Sequence, residues 1–222
     1  MLTISKHVSW CMSGGTVILL DATAGRYVQL NNRLSQSFAR IALADDQCVF
    51  DRDAIALLIE RGYVRDADPA DISTLIPLSV PMADSSAWTS DLLPTPRHAF
   101  ILPLLTILTC RLAMAIIPFG WALQLHRCFR RSSRYTQPLR EDEPRQLVRQ
   151  FEQAQSFVRA RGKCLPDAIA LNLLARRSGY ETWVMLGVRL DPFEAHSWVQ
   201  TKQYILADQC ERVCSFVPIA RF

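Results

Sequence analysis

Three side chains in the second half of this chain have the types, order and settings that could do chemistry together. Cys164 follows Gly162 and Lys163 and opens a stretch in which Ala168, Leu171, Leu174 and Ala175 recur at helical spacing. Pro166 falls at an early helical position, where its missing N–H costs little, and Gly179 is placed to cap the helix end. Cys164 is therefore expected at a helix N-terminus, where the macrodipole favours an anion and lowers a thiol pKa. His196 lies in Glu-Ala-His-Ser-Trp-Val-Gln and Asp208 in Ile-Leu-Ala-Asp-Gln, both read as strands. In a meander the second and third strands would lie side by side, with His196 and Asp208 on one face toward the start of the Cys164 helix. The chemistry implied is attack of a thiolate on a carbonyl carbon. The imidazole moves the proton and the carboxylate fixes its tautomer. The backbone N–H of Cys164 is a candidate oxyanion donor.

Each of these residues has a structural explanation when taken singly. A buried cysteine is usually a small hydrophobe, a strand histidine is usually a satisfied core or surface residue, and Asp208 could simply start a turn. Their order favours the triad. Cys11, Cys48, Cys110, Cys128, Cys210 and Cys214 lack a helix start followed by His and Asp on strands. His7, His98 and His126 all precede the Cys164 helix. No CxxC pair exists, and Cys210 and Cys214 have no second ligand pair, so no metal is expected.

The elements that position the triad follow from the rest of the chain. Its 222 residues, 50% hydrophobic and 21% charged, are enough for one large domain or two small ones. A net charge of +4 without basic runs interleaved with aromatics argues against nucleic acid. Met1 to Trp10 has no apolar signal core, and the seven cysteines are expected to be reduced thiols in a cytoplasmic setting. Strands are predicted over Ile4–Trp10, Thr16–Asp21 and Arg26–Leu30, joined by turns at Ser13-Gly14-Gly15 and Ala22–Gly25. Asn31 or Asn32 caps a helix with Leu34, Phe38, Ile41 and Ala42 on its apolar stripe. Asp51 opens another, with Ile55, Leu58 and Ile59 on one face, ending at Gly62.

Residues 67–97 are rich in Asp, Ala, Pro and Ser and read as a linker anchored only by Trp88. Residues 98–125 are strongly apolar, but Arg111 splits them into runs too short to cross a membrane, so a buried core helix is expected and membrane contact is disfavoured. The basic cluster His126–Arg131 reads as a solvated helix end. Glu141–Arg161 is an amphipathic helix with Leu147, Phe151, Ala154, Phe157 and Val158 near one face. Strands are expected over 181–189, 195–200 and 204–208, then a short mixed tail.

Two resemblances join these observations. The hairpin ending in Gly25-Arg-Tyr-Val-Gln-Leu-Asn, the Asn-capped helix and the closing Ile59-Glu-Arg-Gly-Tyr-Val resemble the PqqD-like precursor-recognition domains of peptide-modifying systems. Gly-Lys-Cys-Leu-Pro-Asp-Ala-Ile-Ala-Leu, then Gly-Val-Arg-Leu-Asp-Pro-Phe-Glu-Ala-His-Ser-Trp-Val, then Leu-Ala-Asp, resembles the lasso-peptide biosynthesis B proteins over about residues 145 to 210. Those are leader peptidases, and a recognition domain fused to the peptidase is their undivided form. The fold implied is α+β. A small winged-helix-like N-terminal domain (1–66) and a linker (67–97) precede a papain/transglutaminase-like domain (98–222) with helices packed on an antiparallel sheet.

The resemblance implies that Cys164, His196 and Asp208 cleave the leader from a ribosomally made precursor, and that an asparagine-synthetase-like lasso cyclase then closes the ring. It also implies that the leader adds as a strand beside Tyr27, Val28 and Leu30, against Ile55 and Leu58. Family members need ATP for cleavage. Ser13-Gly14-Gly15 lacks the Gly-Lys-Ser/Thr of a phosphate loop, so an ATP site is expected on the cyclase rather than here. The alternatives are a non-catalytic leader-binding scaffold and an acyltransferase of the transglutaminase-like class, which the same triad would serve.

Overall fold

A computed structural model describes residues 2–43, 51–66, 83, 85–87, 98–120, 140, 143–158 and 162–222. The chain forms two compact units, Met1–Ser79 and Val80–Phe222.

The first unit runs β1 (Leu2–Ile4), β2 (Val8–Ser13), β3 (Thr16–Asp21), β4 (Arg26–Gln29), α1 (Asn32–Ala42), α2 (Arg52–Glu60) and β5 (Val64–Asp66). Gly14 and Gly15, both at positive φ, form the two-residue loop between the paired Ser13 and Thr16. The Asp21 carboxylate accepts the N–H groups of Thr23 and Ala24 and shapes the next turn. The meander is therefore β2-β3-β4. The strand predicted over Ile4–Trp10 divides in two, because Val8 N–H closes a turn on the Ser5 carbonyl. That turn sends β1 away to pair with β5, Ile4 opposite Val64.

Asn31 caps α1 by accepting from Leu34 N–H, and Asp51 caps α2 by accepting from Ala54 N–H. Leu34, Phe38, Leu58 and Tyr63 then fill a core with Trp10, Val17, Leu19 and Leu30, the rings of Trp10 and Phe38 meeting edge to face at 5.7 Å. On α2 the buried stripe is Ala54 and Leu58, so Ile59, expected inside, is exposed. One residue of helix rotation separates the two readings.

The second unit contains β6 (Ser85–Ser86), α3 (Ile101–Ile116), α4 (Arg145–Phe157), α5 (Cys164–Arg177), β7 (Trp183–Arg189), β8 (Glu194–Gln200), β9 (Tyr204–Leu206), α6 (Cys210–Val213) and β10 (Val217–Arg221). Its sheet has the order β10-β7-β8-β9-β6, antiparallel except where β6 joins β9 in parallel. Ser85–Ser86, inside the stretch read as linker, thus belongs to this sheet, while Trp88 lies outside the described residues. The tail read as short and mixed supplies α6 and the edge strand β10.

Helix α5 is the centre of the unit. It is apolar almost all round because it packs on β7 and β8 below and on α3 and α4 above. Gly179 at φ 88 ends it in a Schellman motif, with Tyr180 N–H on the Ala175 carbonyl and Gly179 N–H on that of Arg176. Helix α3 corrects the expectation of a buried core segment. Pro103, Ile107 and Cys110 face inward, whereas Leu102, Leu105, Leu108, Leu112 and Ile116 are exposed. Among the described residues no helix is long and apolar enough to cross a membrane. The basic cluster at 126–131 lies outside them. On α4 the inward residues are Val148, Phe151 and Ala154; Phe157, expected inside, is exposed and stacks on Phe100 at 4.9 Å.

Candidate active site

Gly162, at φ 70, turns the chain into α5, and Cys164 becomes its first residue. No side chain caps this helix start. His196 comes from the third position of β8, the central strand beneath α5. Asp208 was predicted on the third strand but lies two residues beyond it. Ala207 adopts φ 52, which breaks the extended backbone after Leu206 and turns the chain toward His196. The outcome is close contact: Asp208 Oδ2 lies 2.6 Å from His196 Nε2, and Oδ1 accepts the N–H of Gln209 at 2.9 Å. Both partners are withdrawn from water, with side chains 7% and 14% exposed. Since Nε2 is taken, Nδ1 is the nitrogen left to face the sulfur.

The electrostatics run in opposite directions on the two reacting groups. Burial raises the Cys164 thiol, but hydrogen bonding from His196 and from Ser197 outweighs it, leaving the pKa below the ordinary thiol value. Burial lowers His196, but its bonds to Asp208 and Cys164 dominate and lift it to about 9. A lowered thiol beside a raised imidazole favours the thiolate–imidazolium pair over the neutral one. The structure thus brings Cys164, His196 and Asp208 together around one cavity of about 380 Å³, lined also by Phe151, Gln155, Asp167, Ser197 and Arg212.

The model of the transglutaminase-like superfamily matches residues 106–221, more than half of the 222-residue chain. The chain belongs to the transglutaminase-like superfamily. No curated protein and no solved structure matches it. The transglutaminase-like region runs from within α3 to the last residue of β10, so it includes α5, β8 and the turn carrying Asp208. This class is cysteine-peptidase-like or acyltransferase-like.

Several residues that complete this transglutaminase-like site were not singled out from the sequence. Trp198, two residues past His196 on the same strand face, stacks at 6.2 Å from the imidazole, and Phe216 lies 5.1 Å from it. The indole N–H is bonded to Gln200 Oε1 at 2.9 Å, which fixes the ring. Gly187, paired with His196 across β7 and β8, leaves space for that indole: a Cβ there would lie 2.7 Å from a Trp198 ring carbon. The Ser197 side chain is buried, and its contact with Cys164 helps to lower the thiol. Arg111, read only as an interruption of an apolar run, forms a two-pronged bond to Asp167, one turn into α5. A usable signal was present: a lone Arg in an apolar helix and an Asp on an apolar helix each need a partner.

The residues expected to meet a leader lie in the first unit. Tyr27 and Val28 are half-buried on β4, which ends the order β2-β3-β4, and Ile55 is half-buried on α2. Leu30 and Leu58 correct the expectation: at 2% and 0% exposure they are core residues, their side chains spent on Val17, Phe38 and their neighbours. Cys210 and Cys214 face each other at 3.6 Å across one helical turn, and no metal-binding group of three or more His, Cys, Asp or Glu occurs among the described residues.

Proposed function

We propose that this chain is a thiol peptidase that removes the leader from a ribosomally made lasso-type precursor, with Cys164 as nucleophile, His196 as acid and base, and Asp208 as the group that orients and stabilises the imidazolium. The observation that carries the reading is the 2.6 Å contact between His196 and Asp208 at the cavity that Cys164 lines, in a transglutaminase-like region. The Cys164 thiolate attacks the carbonyl carbon of the leader–core bond, and the uncapped N–H groups at the start of α5 face the developing oxyanion. His196 gives its proton to the leaving nitrogen, the C–N bond breaks, and the leader remains as a thioester on the sulfur. Water then attacks the thioester, His196 takes its proton, and the leader leaves as a carboxylate with the thiolate restored.

Leader capture is assigned to the first unit. β4 has no strand on its outer side among the described residues, so an extended peptide can add there by main-chain hydrogen bonds. Tyr27 and Val28 lie on that edge strand, Ile55 of α2 is assigned to the leader by the same reading, and Leu30 and Leu58 stay in the core. ATP, where the reaction needs it, acts through the cyclase partner.

The test uses the full chain and synthetic lasso-type precursor peptides, with products read by mass spectrometry. One cut at the leader–core junction, absent in Cys164→Ala while peptide binding persists, is the expected result. Binding without any cut by the wild type would support the scaffold reading instead. Leader transfer to an added amine, with no hydrolysis, would make the protein an acyltransferase.

A further inference from the structure

Arg111 and Asp167 are the other buried charge pair beside Cys164. Arg111 Nε donates to Asp167 Oδ1 and Nη2 to Oδ2, each at 2.8 Å, and the side chains are only 13% and 9% exposed. Gln155 Nε2 adds a third bond to Oδ2 at 3.0 Å. A further Arg111 nitrogen, Nη1, donates to the Val158 carbonyl at the C-terminal cap of α4. One guanidinium therefore joins three helices: its own α3, the end of α4 and the start of α5. That start is where the nucleophile sits. Asp167 is three residues after Cys164, on the same helical face, and lines the same cavity.

From this we infer that Arg111 and Asp167 are positioning residues for the nucleophile: they anchor the first turn of α5 and hold the charge next to the Cys164 sulfur neutral. The inference rests on the nucleophile assignment above. The physical argument is one of sign. A carboxylate one turn from a thiolate opposes it, and in a buried setting little water screens the repulsion. Opposite Arg111 the carboxylate is balanced. The pair is also poor evidence for stability as such, because a matched apolar pair often serves a fold equally well. Its place beside the reacting sulfur gives it a second use.

The two charges make opposite predictions, which a merely structural role does not. The readout is the pH dependence of iodoacetamide alkylation at Cys164, followed on its own peptide by mass spectrometry, in folded full-length protein checked by circular dichroism. Arg111→Gln leaves Asp167 unbalanced and moves the inflection upward by about one pH unit, so roughly tenfold less thiolate is present below it. Asp167→Asn leaves Arg111 unbalanced and moves the inflection downward. The double variant returns toward the wild-type position. Inflections that stay put, or that move the same way in both single variants, would overturn the inference. Should Arg111→Gln fail to fold, Asp167→Asn decides alone: a downward shift supports the inference and an unmoved inflection sinks it. A low wild-type inflection that neither variant moves removes this inference only. An ordinary wild-type inflection removes the nucleophile assignment as well.

Discussion

The two units use buried polar groups differently, and the contrast separates scaffolding from chemistry. In the first unit Ser35 bonds the Leu30 carbonyl and the Val17 N–H, Ser37 bonds the Arg33 carbonyl, and Asp21 accepts two turn N–H groups. Side chains there satisfy backbone, as most side-chain hydrogen bonds do. In the second unit buried side chains bond one another: His196 with Asp208, Arg111 with Asp167, Thr182 with Asn172, Trp198 with Gln200. Such bonds make up only about 10–15% of a typical protein's hydrogen bonds. Here they gather along α5 and β8, and His196, Asp208, Asp167 and Trp198 among them line the cavity. Polar side chains that bond each other in the interior hold a geometry that backbone packing alone does not require.

Four substitutions would break or sharpen this contrast. The largest effect is expected at Cys164. Cys164→Ala should abolish peptide cleavage while leaving the melting curve nearly unchanged, and residual turnover above background would remove the sulfur from the chemistry. Asp208→Asn comes next. It keeps the shape but loses the charge that holds His196 at about 9, so turnover should fall by about 10²–10⁴-fold. The sign of the pH effect is fixed. His196 holds its proton below about 9 and loses it as the pH rises, so the alkaline limb of the turnover profile should move to lower pH in this variant. By the same linkage, the raised His196 stabilises the fold fully below about 6.5 and loses that contribution as the pH rises through about 9. A limb that stays in place would show that Asp208 does not set the imidazole.

Gly187→Ala is a packing test. Its Cβ would meet the Trp198 ring at 2.7 Å, so the strand or the indole has to shift, at a cost of about 1–3 kcal/mol read from urea unfolding. Turnover should fall with it, because the same indole stacks on His196. In the first unit, Asn31→Ala removes the α1 cap and should cost only about 1 kcal/mol, with cleavage rates per folded molecule unchanged. Equal catalytic damage from Asn31→Ala and Gly187→Ala would erase the distinction between the units.

The physical signals that made much of this legible are local ones. Asn31, Asp51 and Gly179 mark helix ends through their own backbone chemistry, and each does what its residue type predicts. The order of Cys164, His196 and Asp208 along the chain also points to their meeting at one cavity. Long-range choices were harder to read. Nothing in Leu2–Ile4 says that it pairs with Val64–Asp66 rather than continuing into β2. Nothing near Ser85 says that two residues of a Pro- and Ser-rich stretch will lie parallel to β9. Asp208 was misplaced by one backbone detail, the left-handed Ala207, which no side-chain pattern announces. Helix α3 was read as wholly buried because mean apolarity hides direction; the position of Arg111, aimed at Asp167, reveals its inward face only after α5 is in place.

The central claim is that Cys164 is a thiolate because His196 makes it one. The rate of Cys164 alkylation across pH, measured on its own peptide in the wild type and in His196→Ala, tests this without any substrate. The account predicts a wild-type inflection below the ordinary thiol value of about 8.5, shifted upward by at least about one pH unit in His196→Ala. Inflections that coincide near that ordinary value in both proteins would contradict it.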